Sequence, residues 1–152
     1  MVGTNWGARQ YRRAREIAWI GATTAAMLCG TIGVIVALHP MLWIGLFSDD
    51  PDVARVGSLY LSIVGPIYLC FGLGLGLFFV TQGVSRGVLG MNANFMRMIA
   101  SAGGGLVAIY AFDLGVTGFF AAVAGGFCLY AAILVYAVFK LRAPDATRGA
   151  PA

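Results

Sequence analysis

From Ile17 to Leu38 the chain runs 22 residues without a charged side chain, and Arg9, Arg12, Arg13 and Arg15 crowd the seven positions before Glu16. As a helix rising about 1.5 Å per residue the run reaches about 33 Å, which matches a hydrocarbon core of about 30 Å. It therefore reads as a membrane span. Lys and Arg beside a span hold that end in the cytoplasm, so the N-terminus is expected inside. The run also exceeds the apolar core of a cleaved signal peptide, about 7–15 residues.

Hydrophobic residues make up 60% of the chain, charged residues 11%, and the mean hydropathy is +0.86. A soluble domain of this length leaves about a third of its chain's surface in water, so lipid has to cover the excess. The net charge of +4 would fit a nucleic-acid partner in a soluble protein. Here the basic residues stand at the ends of apolar runs, where topology accounts for them, and no nucleic-acid partner is expected. Cys29, Cys70 and Cys128 are widely separated and lie in apolar runs, so they read as small core residues without disulfide or metal spacing.

The first helix is expected from Tyr11 or Arg12 to Leu38, ended by His39-Pro40. His39 has no ligand-spaced partner and reads as a loop residue. Met41–Phe47 is too short to span and suits the outer interface, with Trp43 at headgroup level. At Ser48-Asp-Asp-Pro-Asp52, Asp50 is placed to cap a helix whose first residue is Pro51. That helix continues as a span over 57–81, bent at Pro66. The segment Gln82–Arg97 carries two arginines and no acid and reads as an inner loop. A third span over about 92–112 puts Arg97 at the cytoplasmic edge. Asp113–Gly118 forms an outer turn with Gly115 and Gly118 as breakers, and the fourth span covers 117–139. Lys140 and Arg142 end it inside, and the tail 143–152 is expected to be disordered. Nine of the ten basic residues then fall inside, Arg55 alone outside.

All six acids, Glu16, Asp49, Asp50, Asp52, Asp113 and Asp145, lie at helix ends or in loops. A cation-coupled transporter needs a carboxylate or similar group at mid-depth, and this chain supplies none there. One histidine and scattered cysteines build neither a nucleophile-base pair nor a metal site, so no catalytic residue, no metal and no enzyme activity are expected. Gly72-Leu-Gly-Leu-Gly76 lies within a span, and with Gly103–Gly105 and Gly125-Gly126 it reads as close helix packing. Tyr60, Ser62 and Tyr68 flank Pro66, and these four are the candidate cavity-lining residues. Tyr60 and Tyr68, eight residues apart, lie near one helix face where rings can stack on a flat organic cation. The competing reading makes Tyr60 an interface residue and Tyr68 packed core.

The opening Val2-Gly-Thr-Asn-Trp-Gly-Ala8, with its Gly3, Gly7 and Ala8, followed by Arg13-Ala-Arg15, resembles the Gly-x-x-x-Gly-Ala segment of the multidrug and toxic compound extrusion (MATE) family. The likeness continues through Leu46-Phe47, Asp50-Pro51 and Val53, the proline-bent span, Gln82-Gly83, Arg86-Gly87 and Leu114–Gly118. It implies a partial MATE transmembrane domain over 1–142: an all-α membrane protein whose four transmembrane helices correspond to the last four helices of the second six-helix half. The implied activity is efflux of organic cations and drugs in exchange for protons or sodium. On this reading the coupling ion binds outside the segment, and no other cofactor is expected. The chain would be a C-terminal portion not competent alone, and its partners would be the lipid bilayer and the missing N-terminal helices or a homo-oligomer. The expected location is the bacterial inner membrane, with both termini cytoplasmic. The alternative is a self-contained four-helix membrane protein, either a small multidrug exporter-like dimer or a packing subunit. Exporters of that type depend on a glutamate in the first span, and Ile17–Leu38 has none.

Overall fold

A computed structural model describes residues 1–140, and all regular structure in it is helical. In chain order the helices are α1 (Val2–Gly7), α2 (Tyr11–Leu38), α3 (Pro40–Ile44), α4 (Pro51–Val64), α5 (Tyr68–Gly83), α6 (Gly87–Tyr110) and α7 (Gly115–Phe139). Arg142 and the tail 143–152 lie outside the described residues.

α2 buries a single stripe: Ala14, Ala18, Ala22, Ala26, Gly30 and Gly33. Spacings of four and three keep these residues on one helical face, and their size lets another backbone come close. That backbone is α5. A β-carbon added at Gly72 would stand 2.6 Å from the Ala25 carbonyl oxygen, and one at Gly76 would stand 2.7 Å from the Ala22 Cα. The middle glycine, Gly74, faces the other way, against the ring of Tyr130 on α7. α5 is thus clasped between α2 and α7, and Ala18, Ala22, Leu77, Val80, Val84, Ala93, Tyr130, Leu134 and Val138 form the common core.

The span expected over 57–81 is broken. α4 and α5 meet at 63° around Gly65-Pro66-Ile67. Pro66 has no N–H to continue the ladder, and Gly33 and Gly65 allow α2 to touch the corner: a β-carbon at Gly65 would lie 2.7 Å from the Gly33 carbonyl oxygen. Asp50 does cap α4, its carboxylate accepting from the Asp52 N–H at 2.8 Å.

Three expectations need correction. Most of the segment read as an inner loop is helix: only Val84-Ser85-Arg86 separates α5 from α6, with Ser85 at φ +57°. α6 thus starts at Gly87, five residues before the expected span. Gly115 does mark the outer turn, at φ +57°, but Gly118 lies inside α7, buried against Leu114 and Ala108. Finally, none of the three cysteines is buried core: Cys29 and Cys70 are half-buried, and Cys128 is exposed.

Among the described residues, α2 and α7 are each long and apolar enough to cross a membrane, with hydropathies of 1.9 and 2.1, and the bent α4–α5 pair qualifies when taken as one span. α6 has the length, about 36 Å over its 24 residues, but not the hydropathy, because Asn92, Asn94 and Arg97 lie within it. It folds back on α7 through small residues, Gly104 against Ala122 and Gly105 against Phe119.

Gly74→Val is expected to force the Tyr130 ring aside and to destabilise the bundle by about 1–3 kcal/mol. Gly103→Ala, where nothing lies within 4 Å, is expected to stabilise it by about 0.5–1 kcal/mol. Unfolding of both variants in the same detergent checks the pair.

Candidate functional site

The helix order gives the bundle two ends of opposite character. Gly3 of α1 docks on Gly83 at the end of α5, and Trp19 near the start of α2 meets Phe139 at the end of α7, ring centroids 5.1 Å apart. Arg9, Arg12, Arg13, Arg15, Arg86 and Lys140 therefore share one end, with Glu16 the single acid there among the described residues. Asp49, Asp50, Asp52 and Asp113 share the other with Arg55 and His39. The ion pairs at the two ends, Arg12–Glu16 at 3.4 Å and Arg55–Asp52 at 3.7 Å, are exposed and weigh little in stability.

Arg97 belongs to neither end. Its guanidinium carbon lies 5.3 Å from the ring centre of Phe127 and 5.9 Å from that of Tyr130, and Nε donates to Asn94 Oδ1 at 3.2 Å. Phe127 is at the middle of α7. Tyr130 packs on Gly74, and its neighbours Gly72 and Gly76 meet Ala25 and Ala22 near the middle of α2. Arg97 is therefore at mid-depth of the bundle, not at the cytoplasmic edge that the later helix start would give. Starting α6 five residues earlier carries it about 7.5 Å inward. Within the described residues no carboxylate lies within ion-pair distance of it. One turn on, the Ser101 hydroxyl is buried without a hydrogen-bond partner, against Gly126.

An aromatic row leads away from the arginine. Phe127 contacts Phe71 at 5.1 Å and Tyr68 edge-on at 6.2 Å. The Tyr68 and Tyr60 hydroxyls are 3.4 Å apart, and Tyr60 meets Phe120 edge-on at 5.2 Å. The row runs from α6 through α7 and α5 to α4, and the tyrosine pair bridges the bend at Pro66. Edge-to-face pairs of this kind add about 0.5–1.5 kcal/mol each beyond area burial, and a guanidinium on a ring about 0.5–2 kcal/mol.

Of the four residues read as cavity-lining, the structure unites Tyr60 and Tyr68 and separates the others. Ser62 is exposed, its hydroxyl donating to the Ser58 carbonyl at 2.7 Å. Pro66 lines an open groove of about 410 Å³ with Met27, Gly30, Thr31, Val34, Ile35 and Leu69. The N-terminal segment is a short helix in which Gly3 makes the close contact, 2.7 Å from an added β-carbon to the Gly83 oxygen. Gly7 faces open space, and Ala8 closes the helix by donating to the Thr4 carbonyl at 3.0 Å. Arg97, Ser101 and Phe127 were not singled out as site residues from the sequence. The available signal was the lone arginine in a span-length stretch, since an ionisable residue at mid-depth marks a functional position more often than a structural one.

Apolar helices packed through small residues define an all-α integral membrane protein. The MatE family profile matches residues 1–107. No curated protein and no solved structure matches the chain. The chain belongs to the MatE family, the multidrug and toxic compound extrusion transporters; members of this family move solutes and are not enzymes.

In a double-mutant cycle, Arg97→Gln and Phe127→Leu are expected to be coupled by about 0.5–2 kcal/mol, measured by detergent unfolding. Additive effects would remove the contact.

Proposed function

We propose that this chain is the C-terminal portion of a proton- or sodium-coupled antiporter that expels organic cations, and that it acts together with further transporter helices. Membership of the MatE family carries the reading. The charge distribution supports it. Acids among the described residues stand only at the ends of the bundle, so the group that exchanges the coupling ion belongs to other helices. Arg97 calls for the same arrangement, because an arginine at the centre of a span costs about 3 kcal/mol unless a counter-charge or water meets it. A carboxylate from a neighbouring helix beyond those described meets that need.

Within this reading the aromatic row is one wall of the path taken by the drug. The guanidinium already occupies the faces of Phe127 and Tyr130, so a flat cation meets the row at its Tyr60–Tyr68 end. The basic end of the bundle faces the cytoplasm of a bacterial inner membrane, and the acidic end faces out. The lipid bilayer is the surrounding partner and nucleic acid is not one.

Co-expression with the remaining helices of a MATE transporter is expected to restore ethidium efflux to an efflux-deficient bacterium, and the chain alone is expected to leave efflux at background. Efflux by the chain reconstituted alone would overturn the proposal. Single cysteines replacing Arg86 and Asp50 in a cysteine-free background are expected to react with an impermeant maleimide from opposite sides of the membrane. Labelling of both from one side would overturn the orientation.

A further inference from the structure

Cys70 on α5 and Cys128 on α7 stand 58 positions apart in sequence, yet their sulfurs are 3.9 Å apart. Their closeness is built into the helix pair. One turn beyond Cys70, Gly74 admits the ring of Tyr130, itself two residues beyond Cys128, so the two backbones run parallel and close at this level. Cys29 is on α2, packed on Gly72, which faces away from α7. A disulfide needs sulfurs about 2.05 Å apart, so the two sulfurs have about 2 Å to close. Cys128 is exposed on the bundle surface beside Phe127 at mid-depth, so an oxidant that reaches the pair has to be small and uncharged enough to enter the bilayer, as hydrogen peroxide is.

We infer that Cys70 and Cys128 form an oxidative modification site, a dithiol that a peroxide converts into a disulfide stapling α5 to α7. The electrons balance in two steps. Hydrogen peroxide oxidises one thiol to a sulfenic acid and leaves as water; the second thiol then attacks that sulfur and expels a second water, so the two thiols together lose two electrons and two protons. A reducing thiol reverses the bond. The staple would lie two residues from Tyr68 and beside Phe127, and would fix the part of the aromatic row carried by α5 and α7.

The test treats the whole chain in lipid vesicles with hydrogen peroxide, then counts the thiols that still alkylate by intact mass. The chain has three cysteines. The count is expected to fall from three to one, with the unalkylated mass lower by about 2 Da, and dithiothreitol should restore it. Cys29→Ser is expected to fall from two thiols to none, whereas Cys70→Ser and Cys128→Ser keep both remaining thiols. Three alkylated thiols after peroxide in the unsubstituted chain, or a bridge that persists in Cys70→Ser or Cys128→Ser, overturns the assignment.

Discussion

The structure depends on one close approach, the alanine face of α2 against the glycines of α5. In lipid, burying apolar side chains between helices gains little, since lipid tails are as apolar as leucine, so association rests on dispersion contacts that require backbones to come near. Ala22 against Gly76 and Ala25 against Gly72 provide that nearness. Each added methyl would separate the helices along their whole contact, because rigid rods cannot yield at one point alone. The alternation within Gly72-Leu-Gly-Leu-Gly76 then adds a second partner. Two glycines meet α2 and the one between them meets Tyr130 of α7, so a single five-residue segment holds three helices in register.

That register places Arg97. The α6–α7 hairpin pairs Gly105 with Phe119, Ser101 with Gly126, and Arg97 with Phe127 and Tyr130. α7 is in turn fixed by the seating of Tyr130 on Gly74. A guanidinium at mid-depth is expensive in hydrocarbon, and two aromatic faces and one Asn94 oxygen offset only part of that cost. The small-residue packing that gives the bundle its form thus also creates an electrostatic demand that the acids among the described residues, gathered at the ends, do not meet.

Much of this was legible in the sequence, and what was missed was missed for identifiable reasons. Gly72, Gly74 and Gly76 read correctly as packing because they lie in an uncharged run with no strand before them, whereas Gly103 and Gly125, read the same way, face open space. Asp50 and Pro51 read correctly because capping is local chemistry. Arg97 was misplaced because polarity in Gln82–Asn94 looks the same whether the segment is a loop or a helix lying against other helices. The structure decides for helix, and the start moves to Gly87. Gly118 was taken for a breaker because a glycine that ends a helix and one that admits a neighbour are the same residue; only its burial against Ala108 tells them apart. The pairing of Cys70 with Cys128, like that of Gly3 with Gly83, is non-local and leaves no mark on spacing.

The tyrosine pair gives the bend a consequence. At Gly65-Pro66-Ile67 the α-helical ladder gives way to turn bonds, Ile67 N–H to the Val64 carbonyl and Tyr68 N–H to the Gly65 carbonyl, each at 3.0 Å, and between side chains the tie from α4 to α5 is the contact between Tyr60 and Tyr68. A hydroxyl pair at 3.4 Å is at the long end of hydrogen-bonding distance, and such bonds in membrane proteins contribute about 0.6 kcal/mol on average, close to thermal energy. α5 is clasped between α2 and α7, and α4 is held at the corner by Gly33 of α2 and at Tyr60 by Phe120 of α7. A change in the 63° angle would alter the spacing of the two tyrosine hydroxyls, which join the α4 end of the row to the part that ends at Arg97. The weakest polar link of the row thus lies where it crosses the break in the helix.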